Sequence, residues 1–368
     1  MNEPAALTPD PDRFFARKTP GSQEWWYFDA ISDDGRDAVV IIFYAGCPFD
    51  PAYGVPSRKV LRTGRGVAPD PLDHCAVGIS WYRPGEPGPP RRWPGQPGAE
   101  TRAFALNVHR RDDFTQTARP FRVDVAGSVV SRDDEGYLIK VDVPDVDGRR
   151  RIRAKLRFRP AAATVPFESE LGTPGSPHTW ILAAADCRVE GEIVIDGTPP
   201  LEFRGRGYHD HNAGAHELSV SVRRWGWGRA HLGDRTCVYY DSMTEDGNHR
   251  SLWLSHAGEA QSESSSPAAI IMDEPARSGF GIPFPGLIRI SADGAEILVR
   301  PRSLVDSGPF YLRWISDWEI REATGEVCRG TGIHELLDTR RLNHFALNWM
   351  IPFRLKRPKG AGRAGRID

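Results

Sequence analysis

Between Gly205 and Gly214 the chain reads Gly-Arg-Gly-Tyr-His-Asp-His-Asn-Ala-Gly, with two histidines, an aspartate, a tyrosine and an asparagine held between glycines. Glycine permits positive φ or close approach to another backbone, so a polar run bounded in this way is presented by shape. In an extended segment His209 and His211 point to one face while Tyr208, Asp210 and Asn212 point to the other. The same residues also make a good Asx-rich loop whose side chains bond their own backbone. Just beyond, Trp225, Trp227, Arg229 and His231 recur with a period of two, as do Tyr239 and Asp241, so each set shares a face of its strand. A barrel interior that carried both sets would be an aromatic chamber containing one carboxyl. Burial among rings raises a carboxyl pKa and keeps the group protonated, giving a general acid that needs no cofactor. Ring faces stabilise a cation by roughly 0.5 to 2 kcal/mol each without attacking it. Protonation of an alkene, followed by capture of the cation, needs that environment. The plainer reading makes the tryptophans ordinary core and Asp241 the start of a turn.

Other chemistries have less behind them. His209-Asp210-His211 with His216 has the composition of a two-histidine, one-carboxylate metal site, but adjacent residues of a strand diverge, so no metal is expected. There is no Gly-x-Ser-x-Gly elbow for a serine hydrolase, and neither a P-loop nor a Gly-x-Gly-x-x-Gly turn after a strand, which leaves no nucleotide cofactor to expect. The 48 basic residues balance 49 acidic ones for a net charge of −1, so no global field recruits nucleic acid. Five scattered cysteines (Cys47, Cys75, Cys187, Cys237, Cys328) include no CxxC pair, which fits a reducing, cytoplasmic setting rather than a disulfide framework. The first residues lack the basic and apolar regions of a signal peptide, and no run is long enough to span a bilayer. Nothing in the sequence sets an oligomeric state.

The elements that must position these residues are short strands. A total of 368 residues suits two domains, and 31 prolines, 37 glycines and 11 tryptophans against 4 methionines describe strands and turns with much flat aromatic surface. Glu24 to Ala30 and Ala38 to Tyr44 flank an Asp-Gly turn and read as a hairpin. Pro48, Pro51 and Gly54 then break the sheet. After a strand at Ala76 to Tyr82, residues 83–98 are dense in proline and glycine and read as a solvated loop. Phe121 to Val125, Tyr137 to Val143 and Ile152 to Phe158 alternate apolar with polar, the mark of half-buried strands. Trp180 to Ala185 and Arg188 to Ile195 precede the glycine-bounded stretch. Past it come runs at Arg224 to Leu232, Thr236 to Met243, Ser251 to His256, Phe310 to Ile320 and Gly330 to Leu337. No helical pattern longer than about two turns is legible. The expectation is all-β, two antiparallel barrels in tandem: an arm at 1–20, domains at 21–215 and 216–355, and a basic tail at 356–368 that is either simply solvated or held against anionic lipid at the inner face of a membrane.

An ordered set of motifs is similar to the carotenoid 1,2-hydratase family, also called hydroxyneurosporene synthase, within a wider lipocalin-like group. It comprises Trp25-Trp-Tyr-Phe-Asp-Ala-Ile-Ser-Asp-Asp-Gly35 with Ile41-Ile42, Pro71-Leu-Asp-His-Cys-Ala76, Gly207-Tyr-x-Asp-x-Asn212, Trp225-x-Trp227 with Arg229-Ala230, Tyr240-Asp241, Pro309-Phe-Tyr311, and Gly332-Ile-His-Glu-Leu-Leu-Asp338. The resemblance implies two lipocalin-like β-barrels and a cofactor-independent addition of water to the terminal double bond of an acyclic carotenoid or related isoprenoid. It also implies His211, Tyr239 and Asp241 as catalytic residues. The family's tryptophan falls at Ala213, a departure that should reshape the chamber unless Trp225 or Trp227 fills the space. On this reading Asp241 is the acid, His211 handles the water, and Trp225, Trp227, Tyr208, Asn212 and Trp26 hold the substrate, with Glu335 and His74 as structural second choices. Two alternatives stay open: a cyclase in which an internal group captures the cation, and a carrier that leaves an apolar ligand unchanged.

Overall fold

A computed structural model describes residues 10–16, 19–86, 100–161, 166–256, 262–264, 269–292 and 294–357. Most of the proline-rich loop expected at 83–98, and the basic tail beyond residue 357, lie outside the described residues.

The period-two runs become antiparallel strands in two sheets, one of twelve strands from Gln23 to Gly214 and one of nine from Arg224 to Asp338. The larger sheet curls into a nearly closed barrel and the smaller into a half-barrel. Both are wound in the same way: the strands run as a meander, and the last returns to pair with the first. Thus strand Leu201–Gly214 pairs with Gln23–Ser32, and Val327–Asp338 pairs with Arg224–Leu232. These two first-and-last pairs are the middle of the molecule.

The glycine-bounded stretch is part of strand Leu201–Gly214, not a loop. Its glycines serve close approach rather than positive φ. A Cβ on Gly207 would lie 2.6 Å from the Asp29 carbonyl oxygen and from a Val189 methyl, so the neighbouring strands fit only around a hydrogen.

Among the described residues four apolar clusters form, three of them large. One fills the first barrel, with Trp26, Phe28, Ile41, Phe43, Val123 and Phe158. Another fills the half-barrel, with Tyr239, Leu252, Ile290, Val299 and Trp318. The third lies between the sheets and draws Trp25, Tyr27 and Tyr208 from one side and Trp225, Trp227 and Tyr240 from the other. Here the two first strands lie side by side with their outward residues meeting in order. Trp25 stacks on Trp225 at 6.3 Å, Tyr27 meets the edge of Trp227 at 5.2 Å, and Asp29 accepts from Arg229 Nε at 2.7 Å. Both members of that ion pair are wholly buried.

One element departs from expectation. Pro51–Thr63 is a helix of 13 residues with Pro56 inside it, although Pro48, Pro51 and Gly54 read only as breakers of the sheet. Pro51 sits at the first helical position, where its missing N–H costs nothing. Asp50 caps the start by accepting from the Ala52 N–H at 3.0 Å. Gly64 ends the helix in the left-handed region at φ 63°. His74 bonds Asp50 at 2.6 Å and stacks on Tyr53, so it supports this cap.

Removing one partner of a buried ion pair strands the other charge in low dielectric. Arg229→Met is therefore expected to lower the unfolding free energy by roughly 3 to 5 kcal/mol, and Asp29→Leu combined with Arg229→Met to recover most of it. Urea denaturation of the three proteins measures both; a single variant as stable as the parent would show that the pair does not clamp the sheets.

Candidate active site

Tyr208, Asp210 and Asn212 leave strand Leu201–Gly214 on the face that meets the second sheet, and they converge on one carboxyl. Asp210 Oδ2 accepts from the Tyr208 hydroxyl at 2.8 Å and from Trp180 Nε1 at 3.0 Å, while Oδ1 accepts from Asn212 Nδ2 at 2.8 Å. The Asn212 oxygen lies 3.3 Å from His178 Nε2. Burial pushes the His178 pKa down to about 4, so the ring is neutral and donates from Nε2, which fixes the orientation of the amide.

Burial pushes the Asp210 pKa up to about 8. The Tyr208 and Trp180 donors pull the other way, and the negative charges of Glu335 and Asp29 add to the rise. Burial wins because every donor to Asp210 is neutral. The carboxyl is therefore held mainly in its protonated form at pH 7.

Asp210 faces a small cavity of about 280 Å³ of empty space, measured to its open side, whose walls include Trp25, Tyr27, Trp225, Trp227, Tyr240 and Glu335. Trp25, Tyr27, Trp225 and Glu335 also border a larger lobe of about 830 Å³, walled by Val40, Ile42, Phe49, Leu106, Phe310 and Ile351. The two adjoin in a cleft between the sheets: the larger lobe is mainly apolar but is also bordered by Asp306, Arg313 and Arg354, and the smaller one carries Asp210. Opposite Asp210, Glu335 Oε1 accepts from the Tyr27 hydroxyl at 2.9 Å and from Arg313 Nε at 2.6 Å. Burial disfavours the Arg313 cation, but Glu335 and the oxygens of Tyr311, Tyr82 and Tyr27 more than offset that, so the guanidinium stays charged. The cleft thus holds a neutral carboxylic acid on one wall and an ion-paired carboxylate on the other.

Of the residues expected from sequence, Tyr208, Asn212, Trp225 and Trp227 come together here. The other four do not. Trp26 and His211 point into the first barrel, where His211 Nε2 meets Glu24 at 2.9 Å, Nδ1 meets the Pro11 carbonyl at 3.0 Å, and the two rings stack at 5.1 Å. Tyr239 and Asp241 point into the half-barrel: Tyr239 packs beside Trp318 at 5.8 Å, and Asp241 accepts from Arg250 Nε at 3.1 Å. Burial raises the Asp241 pKa, with Arg250 opposing it. The expected chamber fails by one residue of parity, because Trp227 pairs with Tyr240 and not with Tyr239, which puts the indoles and Asp241 on opposite faces of the sheet. Ala213 shares the His211 face of its strand, so the indole missing there does not thin the wall of the cleft.

His209 likewise faces the first barrel, stacked on Phe28 at 3.8 Å and bonded to the Tyr27 carbonyl at 3.0 Å. Among the described residues no three His, Cys, Asp or Glu side chains gather as metal ligands. The carboxyl that the structure places beside the cleft, and that sequence reasoning did not single out, is Asp210. The signal available was its place two residues from both Tyr208 and Asn212, on a face already credited with polar partners.

Comparison with known proteins follows the same chain. The model of a family described as Carotenoid hydratase CrtC matches residues 41–363. The acyclic carotenoid 1,2-hydratase of Thiocapsa roseopersicina is 30% identical over 353 residues, covering 95% of this chain and 76% of that protein. A hydroxyneurosporene dehydrogenase of Chlorobaculum tepidum is 28% identical over 354 residues, covering 92% of this chain and 88% of the other. Among solved structures, an AttH protein from Nitrosomonas europaea superposes with a TM-score of 0.57 over 86% of this chain and 92% of that one, at 14% identity, a likeness of fold.

A carboxyl held neutral by burial has an infrared signature. A protonated C=O band is expected at pH 6, lost as pH rises through about 8, and absent from Asp210→Asn. Because the folded-state pKa lies above the unfolded one, the same group should make the fold less stable as pH rises from about 4 through about 8. Denaturation of Asp210→Asn should lack that component, and an identical pH slope in both proteins would place the titration elsewhere.

Proposed function

The chain belongs to the carotenoid hydratase CrtC family and is a hydro-lyase, and from that premise we propose that it adds water across the terminal double bond of an acyclic carotenoid or related isoprenoid with Asp210 as the acid. What supports this reading is the buried Asp210 carboxyl, bonded only by neutral donors and with its pKa raised by burial, beside a ring-lined cleft.

The polyene lies along the larger lobe with its terminal alkene beside Asp210. The Asp210 proton goes to the less substituted alkene carbon, the π pair forms the new C–H bond, and the positive charge collects on the tertiary carbon. Trp25, Trp225, Trp227 and Tyr240 face that carbon with ring surfaces that stabilise the cation and cannot trap it. The ion-paired Glu335 makes an electron-rich opposite wall that also orients a water for attack. The water oxygen bonds the tertiary carbon, and the proton it sheds returns to Asp210. Alkene and water become a tertiary alcohol, and the enzyme is left as it began. No step calls for a cofactor.

An acyclic carotenoid dissolves in lipid, so the proposed setting is the surface of a membrane, with the protein peripheral to it. Among the described residues no helix is long and apolar enough to cross a bilayer.

Asp210→Asn keeps the shape and the Asn212 neighbour but has no proton to give. Its turnover on a detergent-dispersed acyclic carotenoid is expected to fall by about a thousandfold or more, while Asp241→Asn stays within a few-fold of the parent. Water labelled with heavy oxygen should appear in the product alcohol. Since the protonated form is the active one, kcat/KM should be level at low pH and decline as pH rises through about 8. Loss of activity in Asp241→Asn with retention in Asp210→Asn would reverse the assignment.

A further inference from the structure

The larger lobe of the cleft lies beside a cap of short helices, and we propose that this cap is a docking surface for an anionic phospholipid bilayer, from which the apolar substrate enters. The inference rests on the functional reading above for the substrate, though not for the surface itself.

The cap is one connected piece. Helix Pro51–Thr63 touches the turn Thr339–Asn343, which touches helix Phe345–Asn348, which in turn touches the turn Ile351–Arg354. Arg357 fastens the end of this run to Asp50, at the start of the long helix. Two large apolar side chains stand outward from it: Trp349 is 54% exposed and Phe353 37%, packed edge to face at 5.9 Å. A lone exposed apolar residue needs no explanation, but an adjoining pair of rings on a short amphipathic segment suits the headgroup boundary of a bilayer. From the same turn Ile351, Arg354 and Leu355 face inward and line the larger lobe. One turn therefore shows aromatic rings to the outside and forms the wall of the cleft on the inside.

Charge selects lipid among apolar partners. From Pro51 to Pro69 the chain carries Arg58, Lys59, Arg62 and Arg65 and no acidic residue. Lys59, Arg62 and Arg65 are exposed. Lys59, Thr63, Arg65 and Gly66 frame an open surface hollow, and Val55 and Val67, 41% and 91% exposed, stand among the cations. Cations mixed with exposed apolar groups bind anionic leaflets by combining attraction to the surface with insertion of the apolar groups. The near-zero net charge of the whole chain hides this local excess.

The test is co-sedimentation of the full chain, without substrate, with vesicles of phosphatidylcholine alone or containing about one third phosphatidylglycerol. Binding to the anionic vesicles is expected, weaker as salt rises, and reduced about tenfold or more by Trp349→Ser with Phe353→Ser, or by Lys59→Glu, Arg62→Glu and Arg65→Glu together. No binding by the parent, equal binding to the neutral vesicles, or unchanged binding by both variants overturns the proposal. Turnover separates surface from cleft: both variants should match the parent on detergent-dispersed carotenoid and lose turnover on carotenoid carried in anionic vesicles. Loss in detergent as well would mean that these residues serve the fold, and that also overturns it. If the parent hydrates no polyene at all, the functional reading fails while the sedimentation result still decides the surface.

Discussion

A carboxyl group stays neutral at pH 7 only where water is kept from it and no cation stands close enough to ionise it, and in this chain both conditions meet at Asp210. Its three donors, Tyr208, Trp180 and Asn212, are all neutral. Such a group needs an empty space to act in, and the two barrels cannot offer one, because their own cores fill them. Protein interiors close to crystal-like density wherever one sheet folds onto itself. Where two separately curled sheets meet, their surfaces are not matched along the whole contact, and large rings touching at their edges leave gaps. The cleft occupies that mismatch. The buried Asp29–Arg229 pair, two residues along from Tyr27 and Trp227, holds the sheets in the register that keeps the cleft at this place.

The architecture was largely legible in the sequence and half of the site was. Runs such as Phe121–Val125 and Arg151–Pro160 alternate buried with exposed positions, so periodicity identified them as strands of a half-buried sheet. The helix Pro51–Thr63 was not legible because prolines and a glycine occupy its first two turns, where a cap and a first-position proline suit a helix but read equally as breakers. The site needed something periodicity does not carry. It tells which residues share a face, and it correctly grouped Tyr208, Asp210 and Asn212, and Trp225 with Trp227. It does not tell which face meets the other sheet. Strand Gln23–Ser32 is buried at nearly every position, with Trp26 and Phe28 inside the barrel and Trp25 and Tyr27 outside it. With both faces apolar, alternation vanishes at the one place where it was needed to choose between Asp210 and Asp241.

The common winding of the two sheets explains why Asp210 and Glu335 border the same cavity. In the first sheet Asp210 lies opposite Tyr27 across the first-and-last strand pair, and in the second Glu335 lies opposite Trp227 across the equivalent pair. Tyr27 packs on Trp227, so the two carboxyls occupy corresponding positions of two like units whose outward faces meet. What separates them is the next strand inward. Beside Asp210 that strand offers Leu182, with the Trp180 indole reaching across, and beside Glu335 it offers Arg313. One apolar neighbour against one cation gives two carboxyls in one cleft different surroundings: Asp210 has only neutral donors, while Glu335 is paired with Arg313. The cleft also gains a direction. On the mechanism proposed above, a cation formed beside Asp210 would be drawn toward Glu335, so the placement of one arginine would set the polarity of the addition.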